Sequence, residues 1–252
     1  ATTEIYTLSL HVALPIFDNG MCKVGAGTTA TDLMESDIFI SAFPRLKAHL
    51  KLVASSPIRN MATLGGNFVN ASPIGDFTAF FLALNAKIKL TKNSDSRSIY
   101  LNDFYKGYKD LDKSPDEILS TISFKLPTQD SHFNFEKVSK RIHLDIASVN
   151  TAILITISGN EITQAHLSAG GVGPIPMYLS KTCNFLLGKS LSRETVQSAL
   201  EILQSEISPI NDVRGSADYK RLLLRQLFYA HFITLFPRSE EHTSELQSRA
   251  YL

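Results

Sequence analysis

A chain of 252 residues, 44% hydrophobic and 19% charged, carries enough apolar material for one large or two small packed units. Its formal net charge of +1 gives no electrostatic basis for a nucleic-acid partner, and no apolar run reaches the roughly 20 residues that membrane insertion as a helix needs. Two distant cysteines, Cys22 and Cys183, are too few for a disulfide framework, a zinc site or an iron–sulfur cluster, and suit a reducing cytoplasm.

Both ends stand apart from the rest. Tyr6 to Phe17 is apolar but has no basic flank, and His11 and Pro15 interrupt it, so it is not read as a targeting segment. Thr7 to Ile16 resembles the conceptual translation of a sequencing-library adapter, with Val12 in place of the usual Asp. Arg238 to Ser248 resembles the companion adapter and is polar without core periodicity. Residues 1–17 and 238–252 are therefore expected to be non-native, leaving about Asp18 to Pro237 for the fold.

Within that span, Cys22 to Ala26 reads as a strand and Thr28 to Ser36 as a helix that Thr29 or Thr31 can cap. Ile40, Phe43, Leu46 and Leu50 recur at helical spacing, with a break expected at Pro44. Residues 53–73 read as loop. Asp76 opens an apolar helix to Leu84, and Ala86 to Thr91 alternates as a half-exposed strand that Arg97 to Leu101 can pair. Glu117 to Leu126 reads as another strand. Beyond Pro127 the texture changes. Strands are expected at Phe133 to Ser139, Ser148 to Ile157 and Ile162 to Ala169, the last two joined by a Ser158-Gly159-Asn160 turn. Helices follow at Tyr178 to Leu187, Arg193 to Ile207 and Ala217 to Phe236. The expected class is α+β in two units, 18–127 and 132–237, the second a three-stranded antiparallel sheet with helices.

Gly25-Ala26-Gly27-Thr28-Thr29-Ala30 fits G-x-G-x-x-A, but Arg45 and Lys47 stand where a dinucleotide site wants an acid, so a strand–turn–helix corner is the favoured reading. Ala62-Thr63-Leu64-Gly65-Gly66-Asn67, followed by Ala71-Ser72-Pro73-Ile74-Gly75-Asp76, says more. Adjacent glycines can take positive φ, and successive N–H groups can then form an anion nest. Asp76 is placed either to accept from ligand hydroxyls or to cap its own helix; spacing leaves both open. The seven histidines include no H-x-x-x-H pair. His166, His231 and Cys183 read as core residues, and Asp110, Asp112, Asp116 and Glu117 as a solvated loop face.

Together with Ser56-Pro57-Ile58-Arg59-Asn60, this stretch resembles the FAD-binding segment of the molybdopterin dehydrogenase flavoprotein family, which includes the FAD domain of xanthine dehydrogenase and the medium subunit of aerobic carbon monoxide dehydrogenase. Leu111 with Glu117-Ile118-Leu119, Lys137, Ala169-Gly170-Gly171-Val172-Gly173-Pro174 and Asp212 to Tyr219 match further signatures of that family. The resemblance implies a PCMH-like two-subdomain FAD-binding unit followed by the family's C-terminal domain. It implies that Thr63, Gly65, Gly66 and Asn67 line FAD, that Ser72 and Asp76 hydrogen-bond it, that Leu119 packs on the isoalloxazine and that Lys137 lies near the flavin. Val53 stands where some relatives place an aromatic ring. The family's N-terminal glycine-rich pyrophosphate loop is not found and would lie upstream of Asp18, so weak FAD binding is expected. The implied role is electron transfer from 2Fe-2S clusters through FAD to NAD or another acceptor, with the clusters and molybdopterin on partner subunits. The alternatives are an FAD-less scaffold and a stand-alone flavin oxidase.

Overall fold

In the computed structural model, residues 15–141 and 145–237 are described. The adapter-like residues 1–14 and 238–252 lie outside them. The architecture is α+β, built on a five-stranded and a four-stranded antiparallel sheet with a small hairpin of β5 (Tyr105–Gly107) and β6 (Asp110–Leu111).

The first sheet has the order β1 (Ile16–Asp18), β2 (Met21–Gly25), β7 (Ile118–Lys125), β3 (Lys87–Lys92), β4 (Asp95–Tyr100). Ile16 and Phe17 pair with Lys23 and Cys22, so the expected start at Asp18 falls inside a hairpin. Alternation decides the faces: Cys22, Val24, Ile88, Ile122 and Phe124 are buried, while Lys23, Lys87 and Lys125 face solvent. On the buried face lie α1 (Ala30–Glu35), α2 (Asp37–Ala42), α3 (Leu46–Lys51), α5 (Leu64–Val69) and α6 (Asp76–Leu82), while the single turn α4 (Ser56–Arg59) buries none of its residues. Thr29 caps α1 in a reciprocal box, its Oγ1 accepting from Asp32 N and its own N–H donating to Asp32 Oδ2. Pro44 separates α2 from α3, as its missing donor and ring bulk require. The span expected to be loop, 53–73, instead holds two short helices.

The second sheet runs β8 (Ser131–Ser139), β9 (Ala147–Ser158), β10 (Glu161–Gly170), with a short fourth strand β11 (Met177–Tyr178) beyond the three expected. Gly159, at φ +62°, makes the tight turn between β9 and β10. Strand β9 is buried on both faces. Ala152 and Leu154 join the first core with Phe135, whereas Val149, Ile153 and Ile155 join a second core with α7 (Ser180–Leu186), α8 (Arg193–Glu206) and α9 (Ala217–Leu235). Phe133 of β8 reaches into the first unit, its ring 4.5 Å from Phe80 and 5.1 Å from Phe43. The two units therefore share a core.

A buried polar chain also joins them, and its proton positions follow from one fixed donor. The Arg45 guanidinium can only donate, so the Asn134 atom 2.8 Å from it is the carbonyl Oδ1, which also accepts from His49 Nε2. Asn134 Nδ2 then donates to Glu136 and to His231 Nδ1. His231 must carry its proton on Nε2, 3.3 Å from Thr151 Oγ1, which in turn donates to the Ser168 carbonyl. Burial pushes His231 down to about 3 and His49 to about 4, both also disfavoured as cations by Arg45. These are core histidines. Both cysteines are buried too, and burial pushes their thiols up to about 12, which makes them inert.

Candidate functional site

The Gly65-Gly66 pair does not form a nest. Neither glycine has positive φ; both lie in the first turn of α5, capped by Thr63, whose Oγ1 accepts from Gly66 N. The N–H groups of that turn are consumed internally: Leu64 donates to Thr28, Gly65 to Ala26 and Asn67 to Thr63. Gly65 is required by close approach, because a Cβ there would stand 2.8 Å from the Ala26 Cβ. The G-x-G-x-x-A corner is thus the seat on which this turn packs. Ala26 N donates to Ser120 O, which brings β7 and the buried Leu119 alongside. Thr63 and Gly66 remain open to solvent on the outer side.

Asn67 has a role that spacing did not reveal. Helix α6 starts at Gly75, which has no capping side chain, and Asn67 Oδ1 supplies the cap from outside by accepting from Thr78 N and Oγ1. Asp76 is the first helical residue rather than the cap. Its Oδ2 accepts from Lys137 Nζ at 2.7 Å and its Oδ1 from Asn150 Nδ2 at 2.6 Å. Lys137 is 2% exposed and also donates to the Leu52 carbonyl. Burial pushes the Asp76 carboxyl above the ordinary range, against the opposing pull of Lys137 and Asn150. Asn150 further donates to Ile74 O, and Gly171 N to Pro73 O, so the 73–76 segment is tied across the end of the second sheet. Ser72 is half-buried, its Oγ accepting from Ile74 N.

The eight expected residues thus fall into two groups. Thr63, Gly65, Gly66 and Leu119 gather around Ala26; Ser72, Asp76 and Lys137 gather at the junction of the units; Asn67 spans between them through Thr78. Sequence reasoning missed Asn150, one of several polar residues at the start of β9. The reading of the acidic row as a solvated face is incomplete. Asp112 and Glu117 clasp Arg97 and Asp116 pairs with Lys92, so the row is an ion-pair cluster as well as a solvated face.

Gly171 is a sharper case of backbone need. It has φ +83°, and a Cβ would lie 2.4 Å from the Ser148 carbonyl oxygen. Gly171→Ala is expected to lower stability by about 2 kcal/mol or more, seen as a fall of roughly 4–8 °C in Tm. A variant that melts with the wild type would show that the 170–174 loop yields.

Residues 17–128 match the family model for the FAD binding domain in molybdopterin dehydrogenase, and residues 134–235 that for the CO dehydrogenase flavoprotein C-terminal domain. The glyceraldehyde dehydrogenase medium chain of Sulfolobus acidocaldarius is 32% identical over 209 residues, 83% of this chain and 73% of that one. The chain belongs to the molybdopterin dehydrogenase flavoprotein family. Xanthine dehydrogenase 1 of Arabidopsis thaliana is 30% identical over 88% of the chain, which spans 17% of that longer protein. Among solved structures, a carbon monoxide dehydrogenase from Hydrogenophaga pseudoflava superposes with a TM-score of 0.82 at 25% identity, over 87% of this chain and 76% of that one. Members of this family are dehydrogenase components, and the two-unit α+β fold described above is theirs. Among the described residues no helix is long and apolar enough to cross a membrane, and no three His, Cys, Asp or Glu side chains are placed to hold a metal ion.

Proposed function

We propose that this chain is the FAD-carrying electron-transfer subunit of a molybdenum hydroxylase of the xanthine dehydrogenase type. A molybdopterin chain and a 2Fe-2S chain are its partners, and NAD or another acceptor takes the electrons. The buried Asp76–Lys137–Asn150 constellation, set where the family's two domains meet, carries this reading. Bound FAD would supply the conversion between single electrons and electron pairs.

The residues present fit such a group in chemistry. The exposed Gly66 face admits close approach, and the Thr63 hydroxyl, which accepts from Gly66, keeps its own proton to donate. Ser72 offers a hydroxyl. Asp76 and Lys137 set a fixed carboxylate and ammonium, each oxygen of Asp76 keeping a lone pair for a ribityl hydroxyl. Leu119 and Val53 would give apolar contact. The consumed N–H groups of the α5 turn favour one other reading, a scaffold that docks partners without flavin. Flavin absorbance and fluorescence of the protein co-purified with its partner chains separate the two. Stoichiometric FAD, held about tenfold more weakly after Thr63→Val through loss of one hydrogen bond of about 1.4 kcal/mol, supports the flavoprotein. A colourless complex that takes up no added FAD favours the scaffold.

A further inference from the structure

Where the break at Pro44 meets the start of β8 and the end of α9 lies a small cavity of about 220 Å³. None of its lining residues is assigned to the cofactor. Phe43, Pro44, Pro127, Phe133 and Leu235 give it apolar walls. The rings of Phe43 and Phe133 meet edge to face with centroids 5.1 Å apart, which fixes one of those walls. At about 30 Å³ per water, the cavity has room for about seven waters or one small organic molecule.

Two polar groups define what the cavity takes. His49, 3% exposed, lines it, and its Nδ1 is buried with no hydrogen-bond partner among the described residues. The ring proton sits on Nε2, which donates to Asn134 Oδ1, so Nδ1 of the neutral ring is a bare lone pair that calls for a donor. A buried acceptor left unpaired costs stability, which makes a donor from an occupant favourable. Arg45 is the second group. It uses one of a guanidinium's five donors on Asn134 Oδ1, and no Asp or Glu lines the cavity to neutralise it. A carboxylate suits that planar cation. The donor for His49 has to be uncharged, because Arg45 Nη1 and His49 Nε2 share one acceptor atom, at 2.8 and 3.2 Å, and an ammonium would stand close to the guanidinium. A hydroxyl meets the condition, and the apolar walls favour a short hydrocarbon skeleton between the two polar ends.

We propose that this cavity binds a small hydroxycarboxylic acid, its carboxylate on Arg45 and its hydroxyl donating to His49 Nδ1. The site is independent of flavin, so the test needs none. Lactate titrated into the full chain, followed by nitrogen NMR of the histidine rings, is expected to bind saturably and to move the His49 Nδ1 resonance as the lone pair gains a donor. Propionate, the same skeleton without the hydroxyl, is expected to bind about tenfold more weakly, the worth of one hydrogen bond. This comparison uses the wild type and does not depend on any variant folding. Ala42→Leu, which adds bulk to the lining, is expected to abolish lactate binding and leave the unfolding temperature unchanged. Lactate that leaves His49 unmoved, propionate that binds as well as lactate, or a folded Ala42→Leu that still binds lactate would each overturn the site, and water would then be the partner of Nδ1. Inorganic phosphate that displaces lactate at a lower concentration would overturn the class of ligand.

Discussion

Lys137→Met is expected to cost about 3–5 kcal/mol, because it leaves the Asp76 carboxylate buried without its counter-charge. At roughly 2–4 °C per kcal/mol for a chain of this size, the unfolding temperature should fall by about 6–20 °C. The deficit should depend on pH in a defined direction. Without Lys137, nothing but Asn150 opposes the burial that already raises the Asp76 pKa. An acid with a raised folded pKa is penalised at high pH and relieved as it takes up a proton. The gap between variant and wild type should therefore narrow as pH falls from 7 towards the unfolded carboxylate value of about 4. Adding Asp76→Asn to Lys137→Met should recover part of the loss, since the stranded charge is gone. Denaturant unfolding of the four forms of this cycle measures the coupling. A single-variant loss under about 1 kcal/mol would mean that water reaches the pair and that it is no strut.

Acid should weaken the wild type before its ordinary carboxylates titrate. His49 and His231 are neutral in the fold, with pKa values of about 4 and about 3, while an unfolded histidine titrates near 6.5. Their folded values are depressed, so the unfolded chain binds the extra protons. Stability is full above about pH 6.5 and falls as pH drops towards the folded values. Each histidine contributes a slope of about 1.4 kcal/mol per pH unit, so the pair should cost on the order of 5 kcal/mol by pH 4.5. Asp76, with its raised value, acts in the opposite sense. Comparison with a His231→Gln variant isolates the effect: its stability should decline about half as steeply between pH 6.5 and 5. Equal slopes in the two proteins would contradict the neutral, Nε2-protonated assignment of His231.

What could be read from the sequence was local. The Thr29 cap, the break at Pro44, the Gly159 turn and the last three helices each depend on neighbours a few residues away, and each appears where pattern places it. The misreadings share a different cause. Gly65 and Gly66 have no propensity that distinguishes a nest from a helical first turn; the Ala26 backbone, far away in sequence, decides it. Asn67 caps a helix that begins beyond a second turn, and nothing sets Asn134 and Asn150 apart from the other polar residues of β8 and β9 until the groups they satisfy are in place. Family resemblance named Asp76 and Lys137 separately. That they bond each other across 61 residues needed coordinates.

The position of β7 in the first sheet sets a timetable for the newborn chain. Met21 pairs with Lys125 and Gly25 with Thr121, so β2 has no strand beside it on its inner edge until about a hundred further residues have been made. At roughly 5–20 residues per second that is an interval of about 5–20 s. Meanwhile Val24 and the phenylalanines of the first core have no sheet to cover them, and Phe133 arrives later still. Such distant pairing makes for slow closure and prolonged exposure of apolar surface. Recombinant yield should therefore respond more to slower translation and to holding chaperones than to changes in the early helices.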